Sequence, residues 1–224
     1  MPTSLISLAD QLAFWNDWHQ RRGATGNDLG HRDSRRVFLD AVARTPGCAV
    51  ADLGCGQGHD LVAFAAAGHE VHGLDFSEEA VRQARNALQE VGVPDVERRV
   101  RIGDLASALP YPDGRFQGIF SHLAVQYFDD RTTQAIVDEI GRVLRPGGVL
   151  VLVVKSTDDP YCGQGQQIAH HTWVRKGRVR RFFADGELKD LLAGWEIGGI
   201  ESFSGHYAST EPSDFLRVVA HLHK

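Results

Sequence analysis

Residues 50 to 60 read Val50-Ala-Asp52-Leu-Gly54-Cys-Gly56-Gln-Gly58-His-Asp60, an apolar run that ends in an acidic residue and continues into three alternating glycines. Glycine has no Cβ, so the backbone can turn sharply here and approach a ligand closely. A predicted helix follows at Leu61 to Ala67, and its first N–H groups point back at that ligand. The segment therefore predicts a strand, a loop and a helix that together bind a nucleotide-like cofactor.

The spacing of the glycines indicates which cofactor this is. The pattern is Gly-x-Gly-x-Gly, whereas a dinucleotide fingerprint is Gly-x-Gly-x-x-Gly, whose third glycine allows close helix packing. Asp52 would repel a pyrophosphate because the charges are alike, but it would attract a cationic amine. S-adenosylmethionine carries such an amine. We expect Asp52, Gly54, Cys55, Gly56 and Gly58 to contact it.

Acidic residues also end the next two predicted strands. Asp75 lies 17 residues beyond Gly58, near the interval at which an acidic residue reaches ribose hydroxyls. Asp104 and Leu105 are suited to accept from an adenine amino group and to cover the ring. The predicted cofactor contacts outside the glycine loop are Trp15, Asp75, Phe76, Asp104, Leu105 and Ser121.

In combination these residues resemble the class I S-adenosylmethionine-dependent methyltransferases. Asp52 to Gly58 is similar to the family's first motif, and Asp75 and Asp104 are similar to its ribose and adenine contacts. Leu144-Arg-Pro-Gly-Gly148 is similar to the turn before its fifth strand, so the resemblance covers roughly residues 45 to 155. It implies a Rossmann-like α/β three-layer sandwich with a doubly wound, seven-stranded, mostly parallel sheet and an antiparallel last strand.

Size and charge are compatible with one enzyme domain. The chain has 224 residues, 42% of them hydrophobic, and no composition break marks a second domain. The net charge of -5, with scattered positive residues, does not indicate a nucleic-acid surface. We expect a cytoplasmic protein without a membrane partner, since neither a long apolar run nor a signal-like N-terminus is present. Cys48, Cys55 and Cys162 form no Cys-x-x-Cys pair, so neither a disulfide framework nor a metal site is predicted.

Apolar segments alternate with helical ones, which is typical of a parallel sheet covered on both faces. One helix begins after the N-cap Ser77, and another runs from Thr132 to Leu144, before Pro146. A third lies around Glu187 to Leu192. The last two strands should pair antiparallel, because the connection between them has no helix pattern. The predicted strands are Ala49 to Leu53, Val71 to Leu74, Val96 to Ile102, Gly118 to Ser121, Val149 to Val154, Trp195 to Phe203 and Phe215 to Leu222.

Residues 1 to 45 are predicted to form a helical lid, two helices joined by the polar link Gly23 to Asp33. Trp15 and Trp18 are three residues apart on one helical face. They can cover the methionine end of the cofactor or line a substrate pocket, or they can pack in the core. Of the three basic residues that follow, one can pair with the cofactor carboxylate: His19, Arg21 or Arg22.

The rest of the chain is divided into a cofactor-binding core (residues 46 to 155), a substrate loop (156 to 183) and a C-terminal helix with strands (184 to 224). The substrate loop is long, and long loops are often functional. Its Arg175 to Arg181 cluster can bind a carboxylate or phosphate, or form a solvated hairpin. With Ser121-His122-Leu123 and Tyr127-Phe128, the loop is similar to small bacterial methyltransferases of the tellurite-resistance and thiopurine type. The predicted substrate contacts are Trp18, Tyr161, His171 and Arg181.

Methyl transfer is an in-line displacement that needs alignment more than covalent help. A hydroxyl or protonated amine acceptor also needs a base, and the first candidate is His122, at the end of the fourth strand. The alternative is that His122 is structural. Tyr127 is the second candidate, followed by His171 and His206. After strand four there is no Asn/Asp-Pro-Pro-Tyr/Phe tetrad and no Pro-Cys nucleophile, which argues against adenine-amino, glutamine and cytosine-carbon methylation.

The sequence thus predicts an S-adenosylmethionine-dependent methyltransferase that acts on a small molecule, as a monomer or homodimer. Two alternatives stay open. One is aminopropyl transfer of the polyamine-synthase type, with which Asp52 is compatible although no acidic loop follows strand four. The other is a sensor that binds S-adenosylmethionine without turnover. The acceptor atom is not determined, since oxygen, nitrogen, sulfur and carbon acceptors all use this scaffold.

Overall fold

The computed structural model describes residues 8–22, 29–206 and 212–223. Within these ranges the chain forms seven α-helices, ten strands and a 3-10 turn at Val125–Tyr127. The helices are α1 Leu8–Arg22, α2 Leu29–Val42, α3 His59–Ala66, α4 Glu78–Glu90, α5 Val96–Arg99, α6 Asp130–Val143 and α7 Asp185–Leu191. The strands are β1 Ala49–Leu53, β2 Glu70–Asp75, β3 Val100–Ile102, β4 Phe116–His122, β5 Leu144–Lys155, β6 Gln166–Ala169, β7 Thr172–Arg175, β8 Arg178–Arg181, β9 Trp195–Gly205 and β10 Ser213–Leu222.

The main sheet has seven strands in the order β3-β2-β1-β4-β5-β10-β9. β1 pairs in parallel with both β2 and β4, and β10 is antiparallel to its neighbours β5 and β9. Six strands therefore run in one direction and the last strand of the chain runs against them, which confirms the predicted fold class. The strand order reverses between β1 and β4, and ligands of such sheets bind at the carboxyl ends of the strands beside this point.

Both faces of the sheet are covered, which is why every residue of β1 is buried. Ala49, Ala51 and Leu53 face a core cluster that contains residues of α6 and α7. Val50, on the opposite face, belongs to a cluster with residues of α2, α3 and α4. The alternation of β1 between these two clusters produces the three predicted layers.

Three local predictions differ from the structure. The strand expected over Val96 to Ile102 was wrong in its first half: Val96–Arg99 is a short helix, because the amides of Arg98 and Arg99 donate to the Asp95 carbonyl. Leu144 to Gly148, expected as a turn, is the start of β5 and pairs across a register irregularity near Phe116. α2 begins at Leu29, so the predicted link is shorter, and its residues 23–28 lie outside the described ranges.

The segment from Ser156 to Phe183 is not an irregular loop. It contains a second, three-stranded antiparallel sheet in the order β6-β7-β8. The arginine cluster lies on the hairpin of β7 and β8, but its side chains are not fully solvated, since Arg181 is buried and the other arginines are half-buried. The alternative that it binds a carboxylate or phosphate stays a prediction. Among the described residues, no helix is long and apolar enough to cross a membrane.

Candidate active site

A cavity of about 310 Å³ lies at the carboxyl edge of the main sheet, where the strand order reverses. Its wall combines three sequence-distant parts of the chain: α1, the loops after β1, β2 and β3, and the segment from the end of β4 to the first turn of α6. The sheet topology brings these segments together because their strands are neighbours. Of the predicted site residues, the wall contains Trp15, Gly54, Gly56, Asp75, Phe76, Asp104, Leu105, His122 and Tyr127.

The glycine loop owes its shape to positive φ angles and close packing. Gly54, Gly56 and Gly58 have φ values of 80°, 50° and 81°, a region that disfavours residues with a Cβ. A Cβ at Gly54 would lie 2.3 Å from the Cβ of Ala124, and one at Gly58 would lie 2.8 Å from the Cβ of Ala84. Gly54 and Gly56 line the cavity, whereas Gly58 acts as the N-cap of α3 and lets α4 approach. Because Gly54 and Gly56 have no side chains, the loop presents its backbone to the cavity, and we call residues 54–58 the glycine cradle.

Asp75 connects this loop to the end of β2. One carboxylate oxygen accepts from the amide of Gly56 and the other from the amide of Ser77, each at 2.9 Å. Burial raises the pKa of Asp75, although the amides of Ser77, Gly56 and Phe76 favour the charged form. Each carboxylate oxygen can accept a further hydrogen bond. Asp75 is therefore able to accept from hydroxyl groups of a ligand in the cavity.

Asp52 does not contribute to the cavity wall. Its side chain is buried, and burial, together with the Asp60 and Asp75 carboxylates, raises the pKa of Asp52 well above its usual range. Arg35 offsets part of this repulsion, and its Nε donates to Asp60 Oδ1 at 2.6 Å. The expected contact between Asp52 and a ligand amine stays a prediction, and the structure places this carboxylate in an acidic cluster beneath the loop.

Two further predicted cofactor residues also lie outside the wall. The Ser121 hydroxyl donates to the Leu53 carbonyl at 2.8 Å and so joins β4 to the end of β1. Cys55 is buried in the core cluster of α3 and β1, and burial raises the pKa of its thiol well above the usual range. Both residues therefore support the glycine loop from the side that faces the core, not from the cavity.

Asp104, Leu105 and Phe76, from the loops after β3 and β2, also line the cavity. Asp104 follows β3, and its Oδ1 accepts from the Ala106 amide at 2.9 Å. Leu105 is 7% exposed and packs into the main core cluster. An acidic hydrogen-bond acceptor beside two apolar side chains fits the predicted adenine-binding site.

Helix α1 contributes Trp15 and His19 to the cavity wall. The Trp15 ring meets the Tyr127 ring edge to face, with 5.1 Å between centroids. Asn16 accepts from the Ser77 hydroxyl at 2.6 Å, which fixes the helix to the start of α4. Trp18 packs on Trp15 at 5.4 Å and is not part of the wall.

Of the three basic residues proposed for the cofactor carboxylate, the structure brings His19 to the cavity. His19 is buried, and its Cε1 lies 3.4 Å from the position of a Cβ at Gly56. Arg21 instead donates from Nε to the exposed Asp17 at 2.8 Å. The side chain of Arg22 lies outside the described part of the structure.

His122 and Tyr127 both lie in the wall. His122 is the last residue of β4, and its ring is stacked on Phe120 with 6.1 Å between centroids. Tyr127 ends the 3-10 turn that follows. The two candidate proton acceptors are therefore held on a short, buried segment beside the glycine loop. Sequence reasoning missed Gln11 and Thr132, wall residues that carry no motif and reach the cavity only through the packing of their helices.

The predicted substrate residues of the second sheet lie outside the cavity wall. His171 Nδ1 contacts Glu187 Oε2 at 2.8 Å. Arg181 is buried and forms ion pairs with Asp130 at 2.9 Å and with Glu187 at 3.5 Å. These contacts tie the second sheet to α6 and α7. Tyr161 borders a separate shallow cavity, and the exposed His206 lies at the end of β9.

The sheet order agrees with the predicted Rossmann-like methyltransferase fold, and the glycine loop and the acidic residues after β2 and β3 lie where that fold has its ligand site. Residues 50–148 match the family described as "Methyltransferase domain". Residues 50–148 are thus similar to a methyltransferase domain, as the resemblance over residues 45 to 155 predicted.

One relative with a similar sequence is an uncharacterized methyltransferase of Synechocystis sp., 33% identical over 132 residues, which are 59% of this chain and 58% of the relative. The chain spans 34% to 60% of the length of the first three curated relatives it matches.

Two solved structures show the same fold. The Burkholderia thailandensis 1,6-didemethyltoxoflavin-N1-methyltransferase, with bound 1,6-didemethyltoxoflavin and S-adenosylhomocysteine, has a TM-score of 0.73 at 20% identity, over 100% of this chain and 94% of that one. TehB from Haemophilus influenzae has a TM-score of 0.67 at 19% identity, over 93% and 67% of the two chains.

Proposed function

We propose that the protein transfers a methyl group from S-adenosylmethionine to a small-molecule acceptor and releases S-adenosylhomocysteine. The observation that carries this proposal is the single cavity wall that joins Gly54, Gly56, Asp75 and Asp104 where the strand order reverses. No observation on the described residues favours aminopropyl transfer or a sensor.

The residues of the wall fit the parts of the cofactor. Asp75 would accept from the ribose hydroxyls, and Asp104 with Leu105 would hold the adenine. His19 and Trp15 would hold the methionine end, where a protonated imidazole pairs with a carboxylate. When bound, S-adenosylmethionine supplies an electrophilic methyl group on a sulfonium sulfur.

The chain's own contribution to the reaction is positioning and proton removal. The Trp15 and Tyr127 rings meet in the cavity wall, and with the cofactor bound they would limit the access of water to the reacting groups. His122 Nδ1 or Nε2 would take the proton of a hydroxyl or ammonium acceptor, because its ring lies in the same wall as the glycine cradle. Tyr127 would orient the acceptor.

The acceptor is proposed to be a small molecule with a carboxylate or phosphate group. Two observations support this: the cavity, of about 310 Å³, is lined in part by α1, and a row of arginines lies on the hairpin of β7 and β8.

The test is transfer of a labelled methyl group from S-adenosylmethionine to a panel of small acidic and neutral acceptors, with formation of S-adenosylhomocysteine as the second readout. We expect label in at least one acceptor. In the Asp75→Ala variant we expect the affinity for S-adenosylmethionine to fall about tenfold or more, since two charge-assisted hydrogen bonds are removed. Tight S-adenosylmethionine binding without any product, including from a cell metabolite extract, would instead indicate a sensor.

A further inference from the structure

Three arginines lie on one face of the hairpin formed by β7 and β8, and we call Arg175, Arg178 and Arg180 the arginine face. Arg175 pairs with Arg178 in the register of the two strands, and Trp173 pairs with Arg180. Because side chains alternate along a strand, these four side chains share one face and Arg181 lies on the other. The arginine face borders the shallow cavity together with Tyr161, Gln164 and Phe182.

The arginines on the two faces of the hairpin differ in whether carboxylates lie beside them. Arg181 has two carboxylate partners, Asp130 and Glu187. No carboxylate of the described residues lies within 4.0 Å of the guanidinium nitrogens of the arginine face. Instead, the Arg175 guanidinium lies over the Tyr161 ring at 4.5 Å, and the Arg178 guanidinium lies over the Phe14 ring at 4.9 Å.

The positive charges of this face also act on one another. Arg180 Nε is buried without a hydrogen-bond partner among the residues that the structure describes. Burial, followed by the charges of Arg180 and Arg175, lowers the pKa of Arg178. A bound anion would relieve this repulsion, and planar guanidinium groups bind carboxylates and phosphates with paired hydrogen bonds.

The arginine face adjoins the cofactor cavity. Phe14, on which Arg178 rests, precedes Trp15 in α1, and Trp15 lines the cavity. The 3-10 turn Val125–Tyr127 packs against β8, the strand of Arg178 and Arg180, and Tyr127 also lines the cavity. An anion on the arginine face would therefore belong to a molecule that extends toward the Trp15 and Tyr127 side of the cavity.

We propose that Arg175, Arg178 and Arg180 bind the carboxylate or phosphate of the methyl acceptor and position the acceptor beside the cavity. The substrate class is thus a small acid whose reacting atom is separate from its anionic group. This inference rests on the proposed function, because it gives that site its acceptor.

The test is isothermal titration of the protein with inorganic phosphate and with benzoate, at low ionic strength. We expect the wild type to bind at least one probe. The Arg178→Gln, Arg180→Gln double variant should bind that probe about tenfold or more weakly. The Arg178→Lys, Arg180→Lys variant should recover part of the affinity, since the charge returns without the planar fork. The matched control is Arg98→Gln, an exposed arginine of α5, which should bind as the wild type does. The stronger probe identifies the kind of acidic group.

S-adenosylmethionine is titrated into the same proteins, and the double variant should bind it as tightly as the wild type. Each of three results would overturn the proposal. The wild type binds neither probe, the double Gln variant binds a probe as tightly as the wild type, or Arg98→Gln weakens binding as much as the double Gln variant does. Failure of the wild type to bind S-adenosylmethionine would overturn the proposed function, whatever the phosphate result. If circular dichroism shows that the double variant is unfolded, Arg175→Gln replaces it, and its affinity for the probe should be about threefold weaker than that of the wild type.

Discussion

The Asp75 carboxylate accepts a hydrogen bond from the Gly56 amide, with 2.9 Å between Oδ2 and the nitrogen. This bond joins the end of β2 to the glycine loop after β1. The side chain proposed to hold the ribose therefore also holds the loop that forms the rest of the site. Cofactor affinity and loop stability should depend on the same residue.

Replacement of Asp75 by Ala should raise the dissociation constant of S-adenosylmethionine about tenfold or more, because ribose and loop contacts are both lost. The free energy of unfolding should fall by about 1 to 3 kcal/mol, since the Gly56 and Ser77 amides lose their acceptor. Calorimetric titration and urea unfolding measure the two effects. Glu90→Gln, an exposed change on α4, is the control. Unchanged affinity in Asp75→Ala would refute the ribose role.

The glycine loop predicts a difference between two otherwise similar substitutions. Gly58 and Gly68 have φ values of 81° and 87°, so Ala at either position should cost about 1 to 2 kcal/mol of stability. A Cβ at Gly58 would also lie 2.9 Å from the Cα of Ala84, whereas a Cβ at Gly68 has no atom within 4 Å. Gly58→Ala should therefore be less stable than Gly68→Ala by about 1 kcal/mol or more in urea unfolding. Equal losses would show that α4 does not constrain the loop.

The proposed base predicts a kinetic effect without a binding effect. His122→Ala should reduce turnover about 100-fold with a hydroxyl or amine acceptor and leave S-adenosylmethionine affinity almost unchanged. His221→Ala, at the opposite edge of the sheet beside Val149, serves as the control. Turnover is measured between about pH 6 and pH 9. Full turnover of His122→Ala across this range would remove the residue from the mechanism.

His72, a half-buried histidine of β2 that does not line the cavity, predicts part of the pH dependence of stability. Burial lowers the pKa of His72 from 6.5, and Arg115 and Arg99 act in the same direction against the opposing hydrogen bond with Glu70. The unfolded chain then binds the proton more readily, so this contribution to stability is complete above about pH 6.5 and is lost as the pH falls below it.

His72→Gln should remove that contribution, and its free energy of unfolding should change less than that of the wild type between about pH 7 and pH 5. His206→Gln removes an exposed imidazole and should keep the wild-type pH dependence. The measurement is urea unfolding at a series of pH values. Identical pH profiles for His72→Gln and the wild type would contradict the assignment.

The sequence was sufficient where local chemistry determines the structure. Apart from Asp52, the run before Gly54 is apolar on both faces, and β1 has the predicted bounds of Ala49 and Leu53. Asp75 and Asp104 were proposed as ligand-binding residues because they are acids at strand ends at these intervals; both line the cavity, and their contacts with the cofactor stay a prediction.

Where tertiary packing determines the structure, the sequence was insufficient. All four residues of β6 are exposed, so this strand lacks the apolar alternation that predicts a half-buried strand. Arg181 differs from its neighbour Arg180 only in its side of the strand, and its partner Asp130 comes from a distant helix. The choice of His19 over Arg21 likewise depends on how α1 lies against α4.

The central claim is that the cavity between α1 and the glycine loop binds S-adenosylmethionine. Isothermal titration of the full chain with S-adenosylmethionine and, separately, with NAD tests it most directly. The glycine spacing and the acidic residues around the loop predict saturable binding of S-adenosylmethionine, with weak or undetectable binding of NAD. Tight binding of NAD with no response to S-adenosylmethionine would contradict it.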